Sequence, residues 1–338
     1  MYVGSTDDGS GLHHLLWEVV GNVVDLHLAR LATELRVDVT DDGWVVVTDD
    51  GPGISTDVDP GRKASTLEVV FTTLMASGPT TPRHTPHVHL TPSLIGVGLC
   101  VVNALSTRTE VETTRDGQRW AMAFEQGRVT TPLRSLGPTS VEGTLIRFRP
   151  DPQIFTSIEL DLDQVRDHLQ QVAWLSPLLR VFFQDRRVSG RGGLRGWAEQ
   201  LAAGTPDASF STEQKVDGVY VDLALAWSGD RAPIIHSFVN MQSSRGHGTH
   251  VQGVYRAFAA YAKDLGVTSE EFTERIEPGL IAIIHVGLYD ARWGNPRQDQ
   301  LISPVAGTVV EKVLRDQFVE RERLRAFFES RLHHVARG

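Results

Sequence analysis

The chain has one cysteine, Cys100, so neither a disulfide nor a cysteine-based metal site can form within it. Cys100 lies in the apolar run Leu99-Cys-Val-Val102, where a thiol behaves as a small buried side chain. No apolar run approaches the roughly 20 residues that span a bilayer, and the N-terminus lacks the basic and apolar regions of a signal peptide. A soluble, cytoplasmic protein with no membrane contact is expected. Excess positive charge is also missing: the formal net charge is -9, which excludes a globally basic nucleic-acid-binding surface. DNA contact would have to be local, at Arg180, Arg186, Arg187, Arg191 and Arg195, or on a C-terminal helix carrying Arg315, Arg321, Arg323, Arg325 and Arg331. Glu311, Glu320, Glu322 and Glu329 interleave with that second group, as on an ordinary solvated helix face. Internal repeats and low-complexity tracts are absent.

What is present suffices for two ordinary domains: 338 residues, of which 41% are hydrophobic. Residues 35–39 and 44–48 flank Asp42-Gly43, and residues 109–113 and 120–124 flank Asp116-Gly117; both dipeptides suit the positive φ angles of a hairpin turn. Residues 144–148 and 179–183 read as further strands, and helices are predicted over 12–33, 67–75 and 97–105. A helix layer on one face of a mostly antiparallel sheet follows. Between Met75 and Leu94 a Thr-, Pro- and His-rich stretch has neither helical nor strand periodicity and reads as a long, lid-like loop. Ser189-Gly-Arg-Gly-Gly193 marks a domain junction, giving domains 1–190 and 191–338. In the second, strands are predicted near 219–227, 234–239 and 280–286, followed by a long final helix.

Three motifs carry the chemistry. Glu18, Asn22 and Asp25 recur at i, i+4 and i+7, so they share one helical stripe opposite Leu16, Val20 and Val24. By itself such a stripe reads more often as a solvated helix face. Asp49-Asp-Gly-Pro-Gly-Ile54 ends an apolar strand, where a buried carboxylate is costly unless it accepts a strong hydrogen bond. Gly51 and Gly53 there let a ligand approach the backbone, with Ile54 as an apolar contact. Gly96-Val97-Gly98 opens a helix, whose free N–H groups can hold phosphate; a glycine pair easing helix packing is the other reading.

In order and spacing the three motifs resemble a GHKL-type ATP site, and the likeness is closest to the ATPase subunit of bacterial type IIA topoisomerases, the gyrase B and topoisomerase IV family. It runs on through Ser237-Phe-Val-Asn240, Arg245, Gly248-Thr-His250 and Gly279-Leu-Ile-Ala-Ile-Ile-His-Val286, which resemble that family's transducer domain. The implied architecture is α+β: a two-layer GHKL (Bergerat) ATPase sandwich followed by an α/β transducer of ribosomal-protein-like fold. The implied cofactors are ATP and Mg²⁺. Glu18 matches the family's general base and Asn22 its magnesium ligand, a neutral oxygen donor of the kind Mg²⁺ accepts. Asp49 matches the aspartate that receives the adenine amino group; Thr144 matches the threonine of the adenine-side water network, and Arg115 the arginine at the pocket rim.

Departures from the family pattern are specific. The glycine-rich, lysine-bearing lid is replaced at Pro79, Pro92, Ser93 and Ile95, and Leu26 and Pro52 stand where an acid and an arginine usually face each other. The family's Gln-Thr-Lys loop, which reaches the γ-phosphate, corresponds to Gly294-Asn-Pro-Arg-Gln298, with Arg297 as the candidate cation or else part of a plain surface loop. His84, His87 and His89 have no carboxylate or cysteine partner nearby to complete a metal site. The chain starts inside the family's first conserved stretch and ends with the transducer, so a mostly monomeric ATPase is expected, with weak nucleotide-dependent dimerisation and no DNA cleavage of its own. DNA and a topoisomerase-like partner chain are candidate partners. The competing reading is a nucleotide-binding module with little or no turnover; a histidine kinase is disfavoured because no phosphoacceptor helix precedes the site.

Overall fold

The computed structural model describes residues 3–74, 96–204, 206–295, 298–320 and 322–333. The chain forms two compact units, Met1–Ser189 and Gly190–Gly338.

In the first unit, α1 (Ser10–Leu28) leads into β1 (Glu34–Val39) and β2 (Val45–Asp49), then a small hairpin of β3 (Val58–Asp59) and β4 (Ala64–Ser65). Next come α2 (Thr66–Thr72), α3 (Gly98–Ala104), β5 (Ser106–Arg115), β6 (Gln118–Glu125), β7 (Arg128–Pro138) and β8 (Thr144–Pro150). The unit closes with α4 (Leu162–Leu175), β9 (Arg180–Phe183) and β10 (Arg186–Val188). Eight strands form one sheet in the order β10-β9-β1-β2-β8-β5-β6-β7. Every pair is antiparallel except β1 with β9. Strand alternation explains why one face is covered: Leu35, Val37, Val45, Val47, Val111, Ile146 and Phe148 are buried on it, together with Leu12, Leu16, Val19 and Val23 of α1.

The hairpin dipeptides behave as their sequence dictates. Gly43 has φ 85°, and Asp116 and Gly117 have φ 53° and 72°, the paired positive angles of a tight turn. Helix α1 is shorter than the periodicity predicts, ending at Leu28. Arg30 turns left-handed at φ 62° and Leu31 N bonds back to Leu26 O, closing the C-terminus. Asp50 then fixes the restart, accepting from Thr33 N (2.7 Å), Thr33 Oγ1 (2.5 Å) and Glu34 N (2.8 Å). Neither α4 nor the long edge strand β7 was legible as an element. The first is capped by Asp161, whose carboxylate accepts from Asp163 N and Gln164 N.

The second unit holds α5 (Gly193–Leu201), β11 (Ala208–Val216), β12 (Val219–Trp227), β13 (Ile234–Val239), β14 (Gln242–Ser243), α6 (Thr249–Asp264) and α7 (Ser269–Ile276). It continues with β15 (Leu280–Gly287), α8 (Pro304–Glu320) and α9 (Glu322–His333). The sheet order β11-β12-β15-β13-β14 puts β15 at the centre, which is why all eight of its residues are buried. Val254, Ala257 and Phe258 of α6 and Val309, Val313 and Phe318 of α8 share one core with Leu223, Leu225 and Trp227. The predicted final helix corresponds to α8 and α9, which lie on either side of residue 321. No helix among the described residues is long and apolar enough to cross a membrane.

Candidate functional site

Glu18 is only 2% exposed, so the polar stripe of α1 is not a solvated face. Its Oε1 lies 2.9 Å from Nε2 of His14, one turn earlier and half-exposed. Asn22, one turn later, donates from Nδ2 to the Glu18 carbonyl at 2.9 Å, leaving its amide oxygen as the group that can accept or ligate. The other flank of Glu18 is Gly98 at the start of α3. A Cβ on Gly98 would overlap Glu18 Oε2. The first motif's carboxylate and the third motif's glycine therefore meet only because residue 98 has no side chain. Gly96, with φ 83°, makes the turn into Val97, which caps α3. Cys100 is buried in α3 as expected.

Asp49 closes β2 directly opposite Thr144 on β8, which in turn faces Thr113 on β5. One polar rung thus crosses three strands at the sheet end. Burial pushes the Asp49 carboxyl up to about 6, and the neighbouring Asp50 adds to this; hydrogen bonds from Gly51 N (2.7 Å) and Thr144 work against it. Burial also opposes ionisation of Asp50, but its bonds from Thr33 and Glu34 more than compensate and hold its pKa below the usual value. Two adjacent aspartates consequently have opposite roles: Asp50 ties down backbone, and Asp49 keeps acceptor capacity for something else.

Gly53 adopts φ 75°, and a Cβ there would collide with Thr114 O, so the turn after Asp49 tolerates only glycine. This close approach lets Ile54 N donate to Thr113 Oγ1 at 2.7 Å, joining the turn to the polar rung. Arg115 reaches back to Pro52 O at 3.4 Å, at the rim. A hollow of ≈ 290 Å³ at this sheet end is lined by Asp49, Thr113, Thr144, Glu112 and Arg119 among others.

The structure thus brings Glu18 against Gly98, with Asn22 one turn along α1, and gathers Asp49, Gly51, Gly53, Ile54, Arg115 and Thr144 at the sheet end. Arg297, the lid positions Pro79, Pro92, Ser93 and Ile95, and the three lid histidines lie outside the described residues. Among the described residues no group of three or more His, Cys, Asp or Glu is arranged to hold a metal ion. Two residues escaped the reading of the sequence. His14 sits at i−4 from Glu18, a spacing that could have flagged it. Thr113 carried no local signal at all, because its partner Ile54 is distant in the chain.

Residues 7–154 match the family described as histidine kinase-, DNA gyrase B-, and HSP90-like ATPase, and residues 193–324 match DNA gyrase B. The chain is 34% identical over 341 residues to the DNA gyrase B protein of Thermus thermophilus, covering 95% of this chain and 53% of the relative. It therefore spans about half the length of that curated relative. Among solved structures, it resembles the 43K ATPase domain of Thermus thermophilus gyrase B in complex with an aminocoumarin, with TM-score 0.80 and 31% identity over 98% of this chain and 91% of that one. The B-subunit of the DNA gyrase from Myxococcus xanthus gives TM-score 0.82 at 25% identity, over 97% of this chain and 96% of that one. With both family matches falling on an α+β chain whose motifs converge as described, this protein belongs to the gyrase B family of GHKL ATPases.

Proposed function

We propose that the first unit is an ATP-binding domain that hydrolyses its nucleotide with Mg²⁺, and that the second is the transducer that answers to nucleotide state. The observation that carries this reading is the seat of Glu18: a carboxylate buried at 2% exposure, flanked by His14 on one side and the start of α3 on the other. A buried carboxylate held by a histidine is placed to take a proton from water, and helix-start N–H groups beside it are suited to phosphate. Asp49 would accept the adenine amino group, with Thr144 and Thr113 completing the polar rung and Gly51, Gly53 and Ile54 forming the floor under the base. Arg115 would close the rim.

The residues fit a magnesium ion. Asn22 offers a neutral, hard oxygen whose orientation is set by the Nδ2 bond to Glu18 O. When bound, the ion held by Asn22 would supply positive charge that offsets the charge building up on the phosphate. The gyrase B relatives suggest DNA and a topoisomerase partner chain as the targets of the motion.

Turnover of ATP by the full chain, measured with Mg²⁺ and with the metal chelated, tests this reading. Metal-dependent hydrolysis above background is expected; nucleotide binding without hydrolysis would leave a binding module in place of an enzyme.

A further inference from the structure

Helix α4 lies at residues 162–175, between the two stretches matched by the families, 7–154 and 193–324, so its role is not set by either match. It nevertheless touches the helix that carries Glu18, and it does so through two histidines. At its start, Asp161 N donates to His13 Nε2 at 3.1 Å, while His13 Nδ1 lies 2.9 Å from Gly9 O. Because a carbonyl only accepts, Nδ1 carries the proton and Nε2 is the bare acceptor that Asp161 requires. In its middle, the His168 ring stacks on Trp17, with centroids 3.8 Å apart and planes 23° from parallel. Trp17 immediately precedes Glu18 in α1 and is itself half-buried. His13, His14, Trp17 and Glu18 therefore occupy two successive turns of α1. One pair of these residues faces α4, and the other forms the contact that presents the carboxylate.

We propose that His168 is a positioning residue for Glu18: by stacking on Trp17 it fixes the α1 turn on which His14 and Glu18 meet. The proposal rests on the reading of Glu18 as the general base. The contact suits that task for three reasons. A flat ring on a flat ring restrains rotation of α1 about its own axis, which a point contact would not. Rotation matters because the His14–Glu18 bond and the fit of Glu18 against Gly98 both depend on the azimuth of one helical turn. A displacement of about 1 Å at a catalytic group is enough to lower a rate by about a hundredfold. Finally, the stacked ring is neutral: burial, with His14 and His13 adding to it, pushes His168 down to about 4, so it places no charge next to the His14–Glu18 pair at neutral pH.

Because the contact is a ring stack, an aromatic replacement should preserve it and a truncation should not. The experiment compares the full chain with His168→Ala and His168→Phe, measuring kcat and KM for ATP, affinity for a non-hydrolysable ATP analogue, melting temperature, and the ring ¹⁵N resonance of His14 at fixed pH. His168→Ala is expected to lower kcat about tenfold, keep KM and analogue affinity within about twofold, and move the His14 ring resonance; His168→Phe is expected to restore both kcat and the resonance. A merely structural role would lower the melting temperature and weaken nucleotide binding in parallel with kcat, and that pattern overturns the proposal. So does a His168→Ala protein with unchanged kcat and an unchanged His14 resonance. If His168→Ala does not fold, Trp17→Phe, which retains a smaller stacking surface, must show an intermediate His14 resonance for the proposal to stand. A wild-type chain without ATPase activity whose His14 resonance still responds to His168→Ala refutes the base assignment, not the positioning.

Discussion

Glu18 Oε2 packs against Gly98 in the place a Cβ would take, so the base candidate of α1 and the first residue of α3 share one volume. An added methyl at residue 98 cannot coexist with the carboxylate in its present place, and the buried surroundings of Glu18 leave it little room to withdraw. Gly98→Ala is therefore expected to cut kcat by at least about tenfold, through misplacement of a catalytic group by less than a bond length. Steady-state ATPase rates decide this, with circular dichroism confirming that the variant is folded.

Glu18→Ala separates turnover from binding. A general base acts in the transition state, so kcat should fall by about a hundredfold or more while affinity for a non-hydrolysable analogue changes little. Comparable losses in both would assign Glu18 to ligand binding instead.

Asp49 is expected to be the residue through which pH controls nucleotide binding. Its carboxyl is pushed up to about 6, and only the ionised form is a full acceptor for an amino group. Lowering the pH from 7.5 to 5.5 should weaken ATP binding about fourfold by protonating this group, an effect lost in Asp49→Asn. That variant should itself bind about ten- to a hundredfold more weakly at pH 7.5. Titration calorimetry of both proteins at both pH values is the measurement.

The same shift has a stability consequence of opposite sense. A carboxyl raised above its unfolded value near 3.8 binds more protons in the folded state between pH 4 and 6, so unliganded stability falls as pH rises through that window. Asp49→Asn removes the penalty and should stabilise the unliganded protein at pH 7 by up to roughly 3 kcal/mol, read as a higher melting temperature. Asp50→Ala should do the reverse at the same pH. It strips acceptors from Thr33 N, Thr33 Oγ1 and Glu34 N and should cost about 1–3 kcal/mol.

In the second unit, burial holds His250 down to about 3 and His285 down to about 4, and it also lowers His236. Histidines kept neutral in the fold contribute stability above an unfolded value near 6.5 that is lost as pH falls toward the folded values. The second unit should accordingly lose stability steadily between pH 6.5 and 4. Thermal melts followed by hydrogen exchange should show its core amides opening first on acidification, and equal protection in both units at pH 4.5 would contradict this.

What the sequence determined by itself was local. The positive φ angles at Gly43 and at Asp116-Gly117 follow from residues that accept them without steric cost, so two hairpins were legible from dipeptides. The stripe of α1 followed from helical period. Helix α1 was read too long because it closes at Arg30 and Leu31, ahead of a strand start that is held by the carboxylate of Asp50, which meets Thr33 and Glu34 only after β2 has paired with β1. Tertiary structure alone decided that Glu18 is buried against Gly98, that Thr113 receives Ile54, and that α4 returns to stack His168 on Trp17. Each of these joins residues far apart in the chain, and no periodicity or propensity encodes such a meeting. It arises when the sheet forms and leaves one volume that either a side chain or its absence must fill.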